Sequence, residues 1–370
     1  MAAKAPASAL MTADTVGGIW TYSMELVRGL AGRGTHVTLA TMGQPLTAAQ
    51  WEEARAIPRL EIAESSFRLE WMDEPWSDVD RASDWLLDLA TRVCPDVVHI
   101  NGYAHAGLRW NAPAVCVAHS CVLSWWRAVK REPAPVKYVE YARRVRSALA
   151  AADMAVAPSH SMLSCLVEEY GFTGTSVVVP NARSAEFFGP SIKQPFILAS
   201  GRLWDAAKNI AAVDAVTERL SWPVYVAGDE HHPDGGDTKV GAARRLGRLS
   251  GAEMADWFGR ASVYVLAARY EPFGLSALEA ALCGCALVLG DIPSLREVWG
   301  DAALYVHPED RDGLRETLER VIRSDSLRTD LAARARLRAR RYTPQRMVMG
   351  YLEVYELARH KFESRARAAA

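Results

Sequence analysis

Short apolar runs of strand length alternate with amphipathic helical stretches along almost the whole chain, and this alternation constrains the fold more than any other feature. In the first half, strands are expected at 36–42, 96–101, 114–119, 154–158 and 176–180, preceded by one that ends before Gly17. Helices are expected near 18–31, 77–93, 136–151 and 161–170. In the second half, strands are expected at 196–200, 223–227, 262–267, 286–289 and 303–306. Helices follow at 210–220, 251–259, 274–283, 293–298, 310–324 and 327–341. Continuous apolar strands such as Val263-Tyr-Val-Leu266 belong in a sheet covered on both faces. Strand–helix alternation makes such sheets parallel, so the fold class is α/β with doubly wound, Rossmann-like domains.

A chain of 370 residues carries roughly two domains at about 150 residues each. The alternation restarts across 180–195, where Asn181, Gly189, Pro190 and Pro195 cluster. The boundary is placed there, giving domains 1–182 and 183–342. Ligands of open α/β sheets bind at the carboxyl ends of the strands, so a cleft between two facing domains is the expected site. The last helix, 343–358, has Pro344 at its second position and apolar Met347, Tyr351 and Tyr355 spaced by four. By periodicity alone it fits either domain. The arginine run Arg334, Arg336, Arg338, Arg340 and Arg341 reads as a solvated helix face, with an anionic membrane surface or an acidic acceptor as the sharper alternative.

Charge and composition exclude several classes. With 43 Lys+Arg against 44 Asp+Glu the net charge is −1, without the basic excess of a dedicated nucleic-acid binder. Six irregularly spaced cysteines form no CxxC pair, so they are expected as reduced thiols and not as a zinc site. The N-terminus lacks the apolar core of a signal peptide, and no run of about 18 apolar residues occurs. The longest apolar candidate, 112–126, contains His119, Ser120 and Ser124 and reads as a buried strand plus a loop. A cytoplasmic protein is the expectation.

Three constellations carry chemistry. In Thr15-Val-Gly-Gly-Ile19, Gly17 and Gly18 stand where the first strand hands over to the first helix. There the backbone can approach a phosphate or carboxylate and the helix amides face it, although a plain tight turn fits equally well. The pattern is not GxGxxG, which argues against a dinucleotide-binding dehydrogenase. In Phe196-Ile-Leu-Ala-Ser-Gly-Arg-Leu-Trp-Asp-Ala-Ala-Lys-Asn-Ile210, Arg202 and Lys208 follow directly on a buried strand. A forked guanidinium and a point charge at that edge suit a diphosphate, and ordinary surface charge on a loop is the alternative. The third is Arg269-Tyr-Glu-Pro-Phe-Gly-Leu-Ser-Ala-Leu-Glu-Ala-Ala-Leu-Cys-Gly284. Glu271 lies in a loop and Glu279 about one and a half turns into a helix, able to face the same side. The amides of Gly274, Leu275 and Ser276 would open that helix as an anion-accepting start. Read without a ligand, Glu271 is a helix cap and Glu279 a buried structural acid.

The pair Glu271-Pro-Phe-Gly-Leu-Ser-Ala-Leu-Glu279 resembles the signature of the family 4 glycosyltransferases, retaining enzymes of GT-B fold. Gly201-Arg-Leu with Lys208-Asn209 is similar to the same family's donor-phosphate loop. Asp96-Val-Val-His-Ile-Asn-Gly102, Val177-Val-Val-Pro-Asn181 and Asp291-Ile-Pro-Ser-Leu-Arg-Glu297 resemble its recurring segments. The resemblance runs in order from about Gly17 to Tyr355. It implies two Rossmann-like domains facing each other across a cleft, with 343–370 crossing back onto the first, acceptor-side domain. It implies that Arg202 and Lys208 hold the nucleotide diphosphate, Glu279 binds the ribose and Glu271 contacts the donor sugar. Gly17 and Gly18 would approach the distal phosphate or the acceptor. His119, in Val117-Ala-His-Ser120, would contact the donor sugar, and His99 reads as a packed residue. Two departures stand out: Ala182 where glycine is common after Pro-Asn, and Ala206 at a spot that is often acidic.

The implied reaction is transfer of a hexosyl unit from a nucleotide diphosphate sugar with retained configuration. No carboxylate nucleophile or general base is identifiable, so same-face attack assisted by the departing diphosphate is favoured. No Asp-x-Asp metal site stands at a strand end, and Asp234-Gly-Gly-Asp237 reads as a turn. No resident cofactor and no metal are expected. The donor base stays open among uridine, guanosine and adenosine, and the acceptor among a sugar, a small molecule and a lipid-linked glycan. Trp110, Trp125, Trp126 and Arg127 suit either an acceptor wall or core and rim. A sugar-nucleotide epimerase, a phosphorylase and a non-catalytic nucleotide-sugar-binding protein remain the other readings.

Overall fold

The computed structural model describes residues 4–230 and 241–369. Thirteen strands are seen among them. The first seven are β1 (Ser8–Asp14), β2 (His36–Met42), β3 (Leu60–Glu64), β4 (Val97–Ile100), β5 (Ala114–Val117), β6 (Met154–Ala157) and β7 (Ser176–Val178). The others are β8 (Gln194–Ser200), β9 (Val224–Ala227), β10 (Arg244–Gly247), β11 (Ala261–Leu266), β12 (Ala286–Gly290) and β13 (Leu304–Val306). They form two wholly parallel sheets, ordered β3-β2-β1-β4-β5-β6-β7 and β10-β9-β8-β11-β12-β13. Strand order reverses between β1 and β4 in the first sheet, and between β8 and β11 in the second. Parallel α/β sheets bind ligands at these reversals.

The chain divides into two compact units. One holds residues 1–124, 132–181 and 344–370; the other holds 125–131 and 182–343. The final helix therefore groups with the first unit, and the short segment Trp125–Arg131 groups with the second.

In the second unit, strand periodicity explains the continuous apolar runs. Ile197, Ala199, Val263, Val265, Ala286 and Val288 pack into one buried cluster. Leu198, Tyr264, Leu266, Leu287 and Leu289, their neighbours in sequence, pack into another. Successive side chains point to opposite faces, so a strand covered on both sides must be apolar at every position. Two strands escape the sequence reading for the complementary reason. β3 and β10 are edge strands whose segments Leu60-Glu-Ile-Ala-Glu64 and Arg244-Arg-Leu-Gly247 are half-exposed and charged. Edge strands are commonly short and charged, which erases the apolar signal.

Three helical differences have local causes. Ala48–Arg55 is opened by a capping box between Thr47 and Gln50 despite its polar sequence. Val122–Lys130 is a helix where the apolar run 112–126 was expected to end in a loop. The last helix runs over Pro344–Ala369, well past residue 358. Its later turns are polar, but Arg359 pairs with Glu356 and Glu363, and Arg365 pairs with the buried Asp153 at 3.2 Å. No helix among the described residues is long and apolar enough to cross a membrane.

Part of the arginine run turns inward. Arg338 donates to the carbonyls of Val298 at 2.5 Å and Glu297 at 2.8 Å, at the end of the helix Pro293–Trp299. Arg334 donates to the Asp301 carbonyl and to Asp330. Cations there complement the negative end of a helix dipole. Asp234 and Asp237 lie outside the described residues.

In the first unit, Glu70 closes the short turn Ala104–Gly107, accepting from the amides of Ala104 at 2.6 Å and Tyr103 at 3.0 Å. Burial raises its pKa from 4.5 to about 7, against the lowering pull of those amides. A carboxyl raised in the folded state loses its proton first in the unfolded chain, so its contribution to stability falls as pH rises from about 4.5 to about 7. Glu70→Gln is expected to be level with the parent near pH 4 and more stable than it near pH 8, read by denaturant titration at both pH values. Parallel behaviour of the two proteins across that range would remove the assignment.

Candidate functional site

Two loops converge at the strand reversal of the second unit. The first, residues 201–209, leaves β8. Its entry depends on close backbone approach: a Cβ at Gly228, whose φ is +146°, would lie 1.7 Å from the Gly201 carbonyl oxygen. Gly201 donates to the Ala227 carbonyl, and Leu203 to that of Asp229. At the far end Asn209 adopts φ 55°, and its amide donates to the carbonyls of Ala267 at 2.9 Å and Pro308 at 2.8 Å. The loop is thus stitched to the chain on both sides before any ligand arrives.

Asp205 organises the loop from within. Its carboxylate accepts from Arg202 Nη2 at 2.7 Å, Trp125 Nε1 at 3.0 Å and the Ala207 amide at 3.0 Å. Burial alone would raise its pKa, yet Arg202, Lys208 and these donors hold it below the ordinary carboxylate value. Asp205 therefore stays ionised and anchors Arg202, with the Lys208 charge nearby. The Arg202 guanidinium also lies 5.1 Å over the Trp204 ring, and its side chain is 37 % exposed. Only one of its five N–H donors is used by Asp205, so others can face a ligand.

The second loop follows β11. Glu271 accepts from Lys208 Nζ at 2.5 Å with one carboxylate oxygen, and from the Gly274 amide at 3.0 Å with the other. This alters one expectation. The first amide at the start of the helix Leu275–Leu282 is already occupied by Glu271, so Gly274 offers no vacant donor while that bond holds. Glu271 is both helix cap and partner of Lys208. Gly274 itself has φ +90°, a conformation that favours glycine.

Glu279 lies further along that helix and pairs with Arg183 Nε at 2.8 Å; both side chains are largely buried. Glu271 and Glu279 both bear on the buried phenol of Tyr264, whose hydroxyl donates to Ser276 Oγ at 2.7 Å and lies 3.1 Å from Ser200 Oγ. Burial raises the Tyr264 pKa above its ordinary value, and the two carboxylates push the same way. The structure thus brings Arg202, Lys208 and Glu271 together, and sets both glutamates around one tyrosine. Sequence reasoning missed Asp205, Tyr264 and Arg183, and it weighed Trp125 for an acceptor wall or core and not as a partner of Asp205. Asp205 stood inside the quoted loop, and its acidic type between two cations was the available signal.

The first unit carries its own constellation at the β1/β4 reversal. Gly17 has φ 115° and directly precedes the helix Gly18–Ala31. One turn into that helix, the Tyr22 ring packs edge-on against His119, with centroids 4.5 Å apart. His119 Nε2 lies 2.8 Å from Asn101 Oδ1. Burial, and after it the neighbouring His99, lowers the His119 pKa to about 3. His99 is fully buried between Tyr22, Asn101 and Tyr355, as a packed residue should be, and burial lowers its pKa to about 4. Trp110 is core, with Nε1 donating to the His105 carbonyl, and Trp125 serves Asp205, so the two play separate parts.

The Glycosyltransferase Family 4 model matches residues 16–187, and the Glycosyl transferases group 1 model matches residues 190–338. The D-inositol 3-phosphate glycosyltransferase of Xylanimonas cellulosilytica is 26 % identical over 92 % of both chains. The O-antigen chain mannosyltransferase B of Escherichia coli is 31 % identical over a shorter stretch, 32 % of either chain. Sucrose-phosphate synthase from Thermosynechococcus elongatus superposes with a TM-score of 0.80 at 17 % identity, over 98 % of this chain and 99 % of that one.

The Gly228–Gly201 approach is testable without a ligand. Gly228→Ala is expected to cost about 2–4 kcal/mol, through backbone overlap and an unfavourable φ. Gly189→Ala, where an added carbon meets nothing within 4 Å, should be neutral. Equal denaturation midpoints for the two variants would contradict the described approach.

Proposed function

The chain belongs to the family 4-type glycosyltransferases of GT-B fold, and from that premise we propose that it moves a hexosyl unit from a nucleotide diphosphate sugar to an acceptor hydroxyl with retained anomeric configuration. One observation carries the reading: Arg202 and Lys208 stand on a single loop, Arg202 held by the ionised Asp205 and Lys208 by Glu271.

In this reading the two cations take the diphosphate. Arg202 contributes a forked donor and Lys208 a point charge. Because the loop is pinned at both ends before binding, little reorganisation is needed as charge develops on the leaving oxygen, which is the condition for strong electrostatic stabilisation. Glu279, oriented by Arg183, accepts the ribose hydroxyls. Glu271 meets the donor sugar, and its existing bond to Lys208 couples the sugar contact to the phosphate contact. His119 keeps the role that the resemblance implies, a hydrogen bond to the transferred sugar.

The acceptor hydroxyl attacks the anomeric carbon on the face from which the diphosphate leaves. The departing phosphate oxygen takes the acceptor proton. The proposal includes no metal, since fixed cations occupy the role a divalent ion would fill.

The test incubates the full chain with a panel of nucleotide sugars, with and without an acceptor panel. Nucleoside diphosphate release is followed, and product configuration is read by NMR. Acceptor-dependent release with the donor's anomeric configuration retained is expected. Inversion of configuration would end the same-face mechanism, and alteration of the sugar without acceptor would indicate an epimerase. Arg202→Ala and Lys208→Ala are each expected to lower turnover by roughly 10²–10³-fold, the range for loss of a preorganised charge-stabilising group. Unchanged turnover in both would overturn the diphosphate assignment. Glu279→Ala should weaken nucleoside diphosphate binding by about tenfold, the equivalent of one hydrogen bond to a charged group, measured by calorimetry.

A further inference from the structure

Asn101 lies immediately after β4 and is almost fully buried. Its backbone amide donates to Thr12 Oγ1 at 2.9 Å. Its side-chain nitrogen donates to the Thr12 carbonyl at 2.7 Å and approaches Ser23 Oγ at 3.4 Å. These bonds decide which way the amide faces. Turned over, Asn101 would set its own oxygen against the Thr12 carbonyl, acceptor against acceptor. Oδ1 therefore faces the two histidines, with His119 Nε2 at 2.8 Å and His99 Nε2 at 3.1 Å.

An amide oxygen only accepts, so each of these ring nitrogens must carry a proton. At the outer end of the chain His99 Nδ1 lies 2.9 Å from the Tyr355 hydroxyl, which donates to it once the proton is on Nε2. The geometry points to Asn101 as a positioning residue that holds His119 with its proton on Nε2, leaving Nδ1 as a hydrogen-bond acceptor for a hydroxyl group of the ligand. The inference deepens the assignment of His119 to the transferred sugar and rests on that reading.

The surroundings keep the ring neutral. The titratable groups placed against it are His99, Tyr22 of the helix Gly18–Ala31, and beyond them Tyr351 and Tyr355 of the final helix. Burial raises the pKa of all three tyrosines and lowers that of both histidines, so none of these groups is charged near neutral pH. Among the described residues His119 Nδ1 has no hydrogen-bond partner, and the residue is only partly buried. A neutral ring offering a lone pair repels a phosphate oxygen and accepts from O–H. His119 thus selects a sugar hydroxyl and leaves the anion to the arginine and lysine.

The experiment is long-range ¹H–¹⁵N NMR on the full chain labelled at histidine nitrogens, with His119→Gln used to assign the signal. The Nε2–H tautomer is expected, unchanged between about pH 5 and 8, where an unperturbed imidazole would titrate. Asn101→Ala should convert the His119 signal to a mixture of tautomers and raise the donor KM by about tenfold, the equivalent of one lost hydrogen bond, with a smaller change in kcat. An Nδ1–H tautomer or a charged ring in the parent would overturn the inference, and this measurement needs no variant to fold. An Asn101→Ala protein with the parent's tautomer and KM would overturn it too. If the Nε2–H tautomer is found but His119→Ala leaves donor KM unchanged, the lock stands and the sugar-contact reading fails.

Discussion

Asp205 is the carboxylate on which the candidate donor site depends. It is nearly inaccessible to water, yet it stays ionised because Arg202, Lys208, the Trp125 indole and a backbone amide all direct positive charge or dipoles toward it. A buried charge is tolerated only when it is paired and hydrogen-bonded in this way. The consequence for chemistry is preorganisation. Two cations on a flexible surface loop would spread over many rotamers, whereas Arg202 tethered to Asp205 and Lys208 tethered to Glu271 keep their separation when a ligand arrives.

The same device recurs with neutral groups in the first unit. There the central acceptor is the Asn101 amide oxygen, and the groups arranged around it are two histidines and a ring of tyrosines. Each network sits at the carboxyl edge of a parallel sheet, at the place where strand order reverses. Helix crossovers leave to opposite sides of the sheet at a reversal, so the loops there splay apart and side chains can reach the edge. In one unit the edge is organised by charge and in the other by uncharged hydrogen bonding, which suits contact with a phosphate and with a hydroxyl respectively.

The final helix shows how a segment can be polar in sequence and still anchored. Met347, Tyr351 and Tyr355 form its buried stripe, and Tyr355 reaches His99. Beyond residue 358 the apolar stripe ends, and Arg365 meets Asp153, a carboxylate with no exposed surface. Burial raises the Asp153 pKa, so this pair is bought with desolvation. The arginines of the run 334–341 follow a related logic where Arg334 and Arg338 satisfy carbonyls around the helix Pro293–Trp299.

Much of the architecture was legible in the chain itself. Strands buried on both faces are mostly apolar, so β2, β4, β5, β6, β8, β11 and β12 announce themselves, while the charged edge strands β3 and β10 do not. Gly201, Arg202, Lys208, Glu271 and Glu279 could be named because their spacing after strands marks a sheet edge. What the sequence determined about this protein was therefore its periodicity and the residue types at that edge, both of which are local. Only the tertiary structure decided that Asp205 binds Arg202 and Trp125, that Glu271 occupies the Gly274 amide, that Arg183 meets Glu279 and that Asn101 joins His99 to His119. Hydrogen bonds are directional and act over about 3 Å, so partners distant in sequence are chosen by the packing of the sheets and helices that carry them.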